Sequence, residues 1–256
     1  MAYKYKPSGC LLLTDKDNNR FINSDVFMRL DKFVCKSTAL TKAQAIIHIE
    51  DGDVKVNNNV ITDIAAQVHE NNNVALSGER LYPRPFRYLL MHKPAQTICS
   101  NIDEVYPSLF NYIDIERPQE LHIVGRLDAD TTGLVLITDD GRWSFNITSP
   151  NKLCPKVYRV QLRQPIDASA KQLFLQGINL QGEPQLTAPA ILTIVDEKQV
   201  LLTITEGKFH QVKRMFASIG NKVVGLHRES IGSINLDVSE GQWRYLTVDE
   251  IKALGQ

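Results

Sequence analysis

Gly125-Arg126-Leu127-Asp128-Ala129-Asp130-Thr131-Thr132-Gly133, followed by Leu134-Val135-Leu136-Ile137-Thr138, is the stretch on which the reading of this chain turns. Residues 121 to 124 before the loop and 134 to 137 after it are apolar and β-branched enough to be strands of a sheet. A glycine at each end lets the backbone turn without a Cβ penalty. Between the glycines lie one arginine and two carboxylates, Asp128 and Asp130. A charged loop presented by a rigid sheet is a common setting for chemistry.

Three readings of this loop compete. The first is a polar turn with solvated aspartates. The second is a cation loop: Asp128, Asp130, Thr132 and Gly133 fall at positions 1, 3, 5 and 6 of a calcium-binding pattern, with Asp139 at position 12. Against it, residues 134 to 137 form an apolar run and Asp replaces the bidentate Glu. The third is a metal-dependent phosphotransferase of the Asp-x-Asp-x-Thr kind. There the first Asp should follow directly on a hydrophobic strand, whereas here Gly125-Arg126 intervene.

Composition bounds the answer. The 256 residues allow one large domain or two modest ones, and 43% apolar with 23% charged residues is ordinary for a globular protein that buries a sizeable core. No apolar run approaches the roughly 20 residues of a membrane span, and the amino terminus lacks a signal-peptide pattern. The four cysteines, Cys10, Cys35, Cys99 and Cys154, form no Cys-x-x-Cys pair. No histidines stand at zinc-ligand spacing, so free thiols in a reducing cytoplasm and no metal are expected. A formal net charge of zero argues against a binder held to nucleic acid by global charge, while leaving room for a basic face.

Residues 1–27 are polar and weakly patterned, an extension with a loop at 15–20 and at most a short strand at 11–13. Residues 28–77 read as a small module. Met28, Leu30, Phe33 and Val34 fit one helix face. Thr41 is the expected N-cap of a second helix over 42–49, with Ile46 and Ile49 inward. Short strands follow at 54–56, 60–61 and 74–76. Residues 78–86, with Pro83 and Pro85, are the expected linker. Residues 87–256 form the larger domain. Strands are predicted there at 87–91, 156–162, 189–195 and 199–205. Helices are predicted at 106–113, from about 143, at 168–176 and from His210. Between 205 and 230, Lys208, Lys213, Arg214, Lys222 and Arg228 face only Glu206 and Glu229, the clearest basic patch of the chain.

Gly-Arg-Leu-Asp-x-Asp-Thr-Thr-Gly-Leu resembles the signature of the RsuA family of ribosomal RNA pseudouridine synthases, whose catalytic aspartate falls on Asp128. Lys156-x-Tyr158 is similar to the family's second motif, whose tyrosine stacks on the target base. Glu206-Gly207-Lys208-Phe209-His210-Gln211-Val212-Lys213-Arg214 is similar to the third, which places its cation on Lys213 and its buried apolar position on Ile204. Lys93-Pro94, Cys99-Ser100, His227-Arg228-Glu229 and Ile231-Gly232 fit as well. Arg29-Leu30-Asp31-Lys32-Phe33, opening two helices and short strands, resembles the S4 RNA-binding domain.

The resemblance implies an α+β chain: a small S4-like domain joined to a larger catalytic domain on a mainly antiparallel mixed β-sheet with flanking helices. It implies isomerisation of a flipped-out uridine to pseudouridine in small-subunit rRNA by a cytoplasmic monomer acting within an assembly intermediate. The reaction is redox neutral, so no cofactor is expected. Asp128, Tyr158 and Lys213 are the implied catalytic residues and Ile204 lines the base pocket. Arg126, Lys208, His210, Gln211 and Arg214 are the expected RNA contacts of the large domain, and Arg29, Lys32, Lys36 and Lys42 those of the small one. The small module is near neutral overall, its basics gathered before residue 43. A large-subunit synthase and a noncatalytic ribosome-assembly factor are the alternatives.

Overall fold

The computed structural model describes residues 27–69 and 71–255, so the expectations for residues 1–26, Cys10 among them, lie outside it. The chain divides between Pro85 and Phe86 into two compact units.

In the first unit, β1 (Phe27–Arg29) leads into α1 (Leu30–Ser37), and α2 (Lys42–Glu50) follows. Met28 belongs to the strand rather than to the helix, yet Met28, Leu30, Phe33 and Val34 are all buried as their apolar pattern requires. Thr41 caps α2 in a reciprocal box. Its hydroxyl accepts from the Gln44 amide at 3.3 Å, and the Gln44 side chain accepts from the Thr41 amide at 2.9 Å. Then come β2 (Val54–Val56), β3 (Asn59–Val60), β4 (Gln67–His69), β5 (Val74–Leu76) and β6 (Glu79–Arg80). β1 pairs with β4, and the other four form an antiparallel sheet in the order β3-β2-β5-β6. β6 lies within the stretch expected as linker. There, Ser77 and Gly78 both take positive φ and make a two-residue hairpin, which carries the chain back along β5 before the prolines begin.

The second unit is one nine-stranded sheet. Its strands are β7 (Tyr88–Lys93), β8 (His122–Val124), β9 (Thr132–Thr138), β10 (Lys156–Leu162), β11 (Ile191–Ile194), β12 (Gln199–Ile204), β13 (Val223–Ile231), β14 (Ile234–Asn235) and β15 (Trp243–Tyr245). The order is β11-β12-β10-β13-β9-β7-β15, with β14 beside β13 and β8 beside β9. Every pairing is antiparallel except β13 with β9. The helices are α3 (Gly141–Thr148), α4 (Ala170–Gln176), α5 (Gln211–Ser218) and α6 (Val248–Gly255). The helix expected over 106–113 is only a 3₁₀ turn at Leu109–Tyr112, begun by a bond from the Phe110 amide to the Ser108 hydroxyl.

The apolar run 134–137 is the central strand β9, buried on both faces. Val135 and Ile137 enter one core with Tyr158, Ile204, Val212 and Met215. Leu134 and Leu136 enter another with Trp143, Ile147 and Ile231.

One edge of β9 belongs to β7. The other edge is shared: β8 pairs with Leu136 to Thr138, and β13 pairs only with Thr132 and Gly133. The loop 125–131 therefore emerges where β8 and β13 part. At that split the two backbones touch. A Cβ on Gly133 would lie 2.3 Å from the Arg228 carbonyl oxygen and 2.5 Å from its nitrogen, at a φ of +112°. Gly133→Ala should therefore cost at least about 3 kcal/mol, roughly 6–12 °C in Tm. Gly182, also at positive φ but with nothing near its missing Cβ, should lose only about 1–2 kcal/mol on the same change. Equal melting of the two variants would contradict the close approach.

Candidate active site

Asp128 sits at the tip of the split. Its carbonyl accepts from the Thr131 amide at 3.1 Å, closing a four-residue turn, while the preceding Leu127 points into the core and its amide donates to Cys99 Sγ at 3.3 Å. Beneath the turn lies Lys93, the last residue of β7 and fully buried. Its ammonium donates to the carbonyls of Pro94 at 2.9 Å, Thr131 at 2.8 Å and Ala129 at 3.3 Å. The Gln96 amide takes the Ala129 carbonyl as well, at 2.8 Å. Burial pushes the Lys93 ammonium down, against the pull of Cys99, Asp130 and Asp128.

The Asp128 carboxylate faces α5. Lys213 Nζ lies 2.9 Å from Asp128 Oδ2 and 2.6 Å from Asp130 Oδ1, bridging both carboxylates. Burial alone would lower the Lys213 ammonium, but hydrogen bonds to the two aspartates outweigh it and the net shift is upward. Burial likewise works to raise Asp130, and the bond and charge of Lys213 turn the net shift downward. His210 Nε2 stands 3.4 Å from Asp128 Oδ1. His210 holds a left-handed φ of +48°, rare for a side-chain-bearing residue, immediately before α5. Its ring stacks on Phe209 at 3.7 Å, and Phe209 is three-quarters exposed.

Arg228 is 1% exposed and fills the split. It donates from Nε to the Leu134 carbonyl at 2.7 Å, from Nη2 to the Gly125 carbonyl at 2.7 Å and from Nη1 to the Tyr158 hydroxyl at 3.2 Å. It supplies the ladder bonds that β8 and β13 cannot make to β9 and to each other. Tyr158 is nearly buried, in the same cluster as Leu127 and Ile204.

Asp128, Lys213, His210, Tyr158 and Ile204 are thus brought to one end of the sheet. Arg126 is exposed on the same loop. Three other expected RNA contacts are occupied within the protein. Gln211 is buried; its amide donates to Glu206 Oε1 at 2.7 Å and its oxygen accepts from the Lys208 amide at 2.8 Å, bracing the turn before α5. Arg214 binds the carbonyls of Phe209 and Gln181 and the Glu183 carboxylate, and Lys208 also pairs with Glu183, at 3.4 Å. In the first unit Lys36 is buried and Arg29 is ion-paired to Asp31 at 3.0 Å, while Lys32 is half-buried and Lys42 exposed. The spacing of basic residues does not tell an exposed cation from one already used.

The cation-loop reading fails on geometry. Asp139, its twelfth ligand, lies beyond the seven residues of β9, an extended length of about 20 Å. Its carboxylate instead accepts from the Arg87 amide at 2.9 Å and from Nε at 3.1 Å.

Both units are similar to known proteins. The model of an RNA pseudouridylate synthase family matches residues 87–218, and that of the S4 domain matches residues 28–74. The chain is 47% identical over 229 residues to ribosomal small subunit pseudouridine synthase A of Vibrio cholerae, covering 89% of this chain and 99% of that protein. It is 42% identical over 230 residues to the protein of the same name from Escherichia coli, covering 89% and 100%. A crystal structure of a pseudouridylate synthase, 43% identical, superposes with a TM-score of 0.66 over 89% of this chain and 99% of that one.

Two outcomes follow from the geometry. Arg228→Met should destabilise the chain by about 3–5 kcal/mol, because it strands one buried carbonyl, one partly buried carbonyl and a buried hydroxyl, whereas Tyr158→Phe should cost about 1 kcal/mol. Denaturant melts that rank the two the other way would contradict the bridging role. The Lys213–Asp130 pair stabilises the fold above the ordinary aspartate value of 3.8, since Asp130 is depressed, and below the ordinary lysine value of 10.5, since Lys213 is raised. The Tm difference between the parent and Asp130→Asn should therefore be flat across that window. It should be small, under about 1 kcal/mol at this exposed carboxylate, and shrink only outside the window, in stronger acid or in stronger base. A difference already gone at pH 5 would show Lys213 bound elsewhere.

Proposed function

We propose that in this chain, which belongs to the family of ribosomal small-subunit pseudouridine synthases, Asp128 is the residue that converts a uridine of small-subunit rRNA to pseudouridine. The observation that carries the assignment is the Asp128 carboxylate, paired with Lys213 at 2.9 Å on a loop whose backbone is gripped by buried Lys93. Asp130 shares the cation but is largely exposed. A uridine stacked in a helix is out of reach, so the nucleotide leaves the stack at a cost of a few kcal/mol. Arg126 fills the place it vacates or holds its phosphate. Tyr158 and Ile204 form the apolar wall against the base, and base–aromatic stacking is worth about 1–3 kcal/mol.

The reaction breaks the C1′–N1 bond, turns the uracil and joins C1′ to C5. The proton on C5 is lost and N1 gains one, so atoms and electrons balance with no outside reagent. The Asp128 carboxylate serves either as the group that attacks the sugar or as the base that takes a proton; both require it ionised, and Lys213 keeps a compensating positive charge against it. One chain supplies the whole constellation, so a monomer suffices. Access to a uridine is greatest before ribosomal proteins cover it, which supports a reading in which the substrate is a partly assembled small-subunit particle and the enzyme is cytoplasmic.

Asp128→Asn should lower pseudouridine formation by at least about 10³-fold, with folding and rRNA affinity nearly intact. Asp130→Asn should stay within about tenfold of the parent. Lys213→Met should reduce kcat more than it raises KM, since it removes charge compensation rather than substrate contact. An active Asp128→Asn enzyme would sink the assignment, and equal loss in both aspartate variants would mean that the carboxylates act together.

A further inference from the structure

The cations of the first unit's helices are partly consumed, as described above, but its four-stranded sheet carries another pair. Cross-strand register places Val60, Lys55, Ala75 and Arg80 side by side in one row, strand after strand, from β3 through β2 and β5 to β6. Side chains in such a row share a face. Val54 and Val74, one position away on β2 and β5, are fully buried on the opposite face, so the row looks outward. Ala75 is the small member between the two cations and leaves a hollow there. A concavity of about 350 Å³ is lined by Lys55, Asn58, Asn73, Ala75, Gly78 and Arg80. No lining residue is acidic. Glu79 alternates with Arg80 along β6 and belongs to the other face.

Two tight hairpins and a cross-strand tie hold the walls. Asn57 and Asn58 both adopt positive φ, the requirement of a tight hairpin between β2 and β3. The Asn57 side chain accepts from the Asn73 amide at 2.9 Å, and its own amide donates to the Asn73 carbonyl at 2.8 Å, which ties that hairpin to β5. Gly78 closes the other hairpin with nothing where a Cβ would stand, so the rim is open there. Beside it Tyr82 is two-thirds exposed, and the Arg80 guanidinium lies 5.2 Å from its ring centroid. Two strand spacings separate the Lys55 and Arg80 positions, roughly 10 Å.

Resting on the rRNA reading above, we propose that this outward sheet face binds the phosphodiester backbone of the rRNA substrate. Lys55 and Arg80 each neutralise one phosphate, the Asn58 and Asn73 amides donate to backbone oxygens, and Tyr82 offers a ring to an unstacked base. The hollow over Ala75 admits the chain between the two cations.

The test is binding of the full chain to in vitro transcribed small-subunit rRNA across a KCl series. Lys55→Gln/Arg80→Gln should weaken affinity about tenfold at moderate salt and lower the slope of log K against log salt by roughly 1.5, as two lost phosphate contacts require. Lys171→Gln/Lys198→Gln removes the same charge from exposed positions of the second unit and should change neither by more than a small fraction of that. If the double variant melts below the parent, Lys55→Arg/Arg80→Lys restores the charges and should restore the slope. An unchanged slope in the first variant, or an equal fall in the control pair, overturns the proposal. The readout is affinity and not turnover, so neither result decides the role of Asp128, and an active Asp128→Asn enzyme would leave this surface to stand or fall by itself.

Discussion

The second unit depends on one buried side chain, Arg228, set where a central strand changes partners. β9 is flanked on one edge first by β13 and then by β8, and a strand edge left between two partners exposes carbonyls that water cannot reach. The guanidinium suits that gap because it is planar, carries five donors and stays charged. It satisfies Leu134 and Gly125 on the two sides of the split and reaches the Tyr158 hydroxyl with a third donor. Gly133 is the matching constraint on the other strand, because any side chain there would collide with the Arg228 backbone.

The loop that leaves this split inherits its rigidity. Lys93 holds its carbonyls from beneath, Leu127 anchors it in the core, and the Asp128 turn closes on itself. The carboxylate is thereby carried to the start of α5, where Lys213 and His210 face it. Fixing a charged group this way spends the ordering cost during folding, so little reorganisation remains when a substrate arrives. The backbone strain at His210 belongs to the same arrangement, since its φ turns the chain into α5 with the imidazole toward Asp128. Gln211, Arg214 and Glu183 support this corner from within the protein.

Much of this was legible in the sequence. The apolar run 134–137, the alternation of residues 156–162 and the Thr41 cap each rest on local patterns, and each forms the element expected of it. Asp128 and Lys213 were linked only by the family resemblance, since 85 residues separate them and no local rule joins them. What remained hidden was the fate of cations. Lys93 was marked only by the family resemblance, with no sign of burial, and is fully buried; Arg228 read as part of a basic patch and is a core residue. Gln211 and Arg214 sit in a basic segment and brace turns. Conversely Lys55 and Arg80 lie in an acidic stretch and share one exposed face only because two hairpins align them. Burial of a charge depends on which distant carbonyls the fold brings to it, and composition carries no record of that. β6 and β15 were also missed, since Glu79-Arg80 and Trp243-Arg244-Tyr245 carry none of the valine pattern that marked 54–56 and 74–76.

As a member of its family, this chain isomerises a uridine in small-subunit rRNA. Chemical mapping of pseudouridine in rRNA from cells with and without the gene for this chain tests it most directly. One position in small-subunit rRNA should lose its pseudouridine while the large-subunit rRNA is unchanged. Full retention of every small-subunit pseudouridine, or a loss confined to the large subunit, would contradict it.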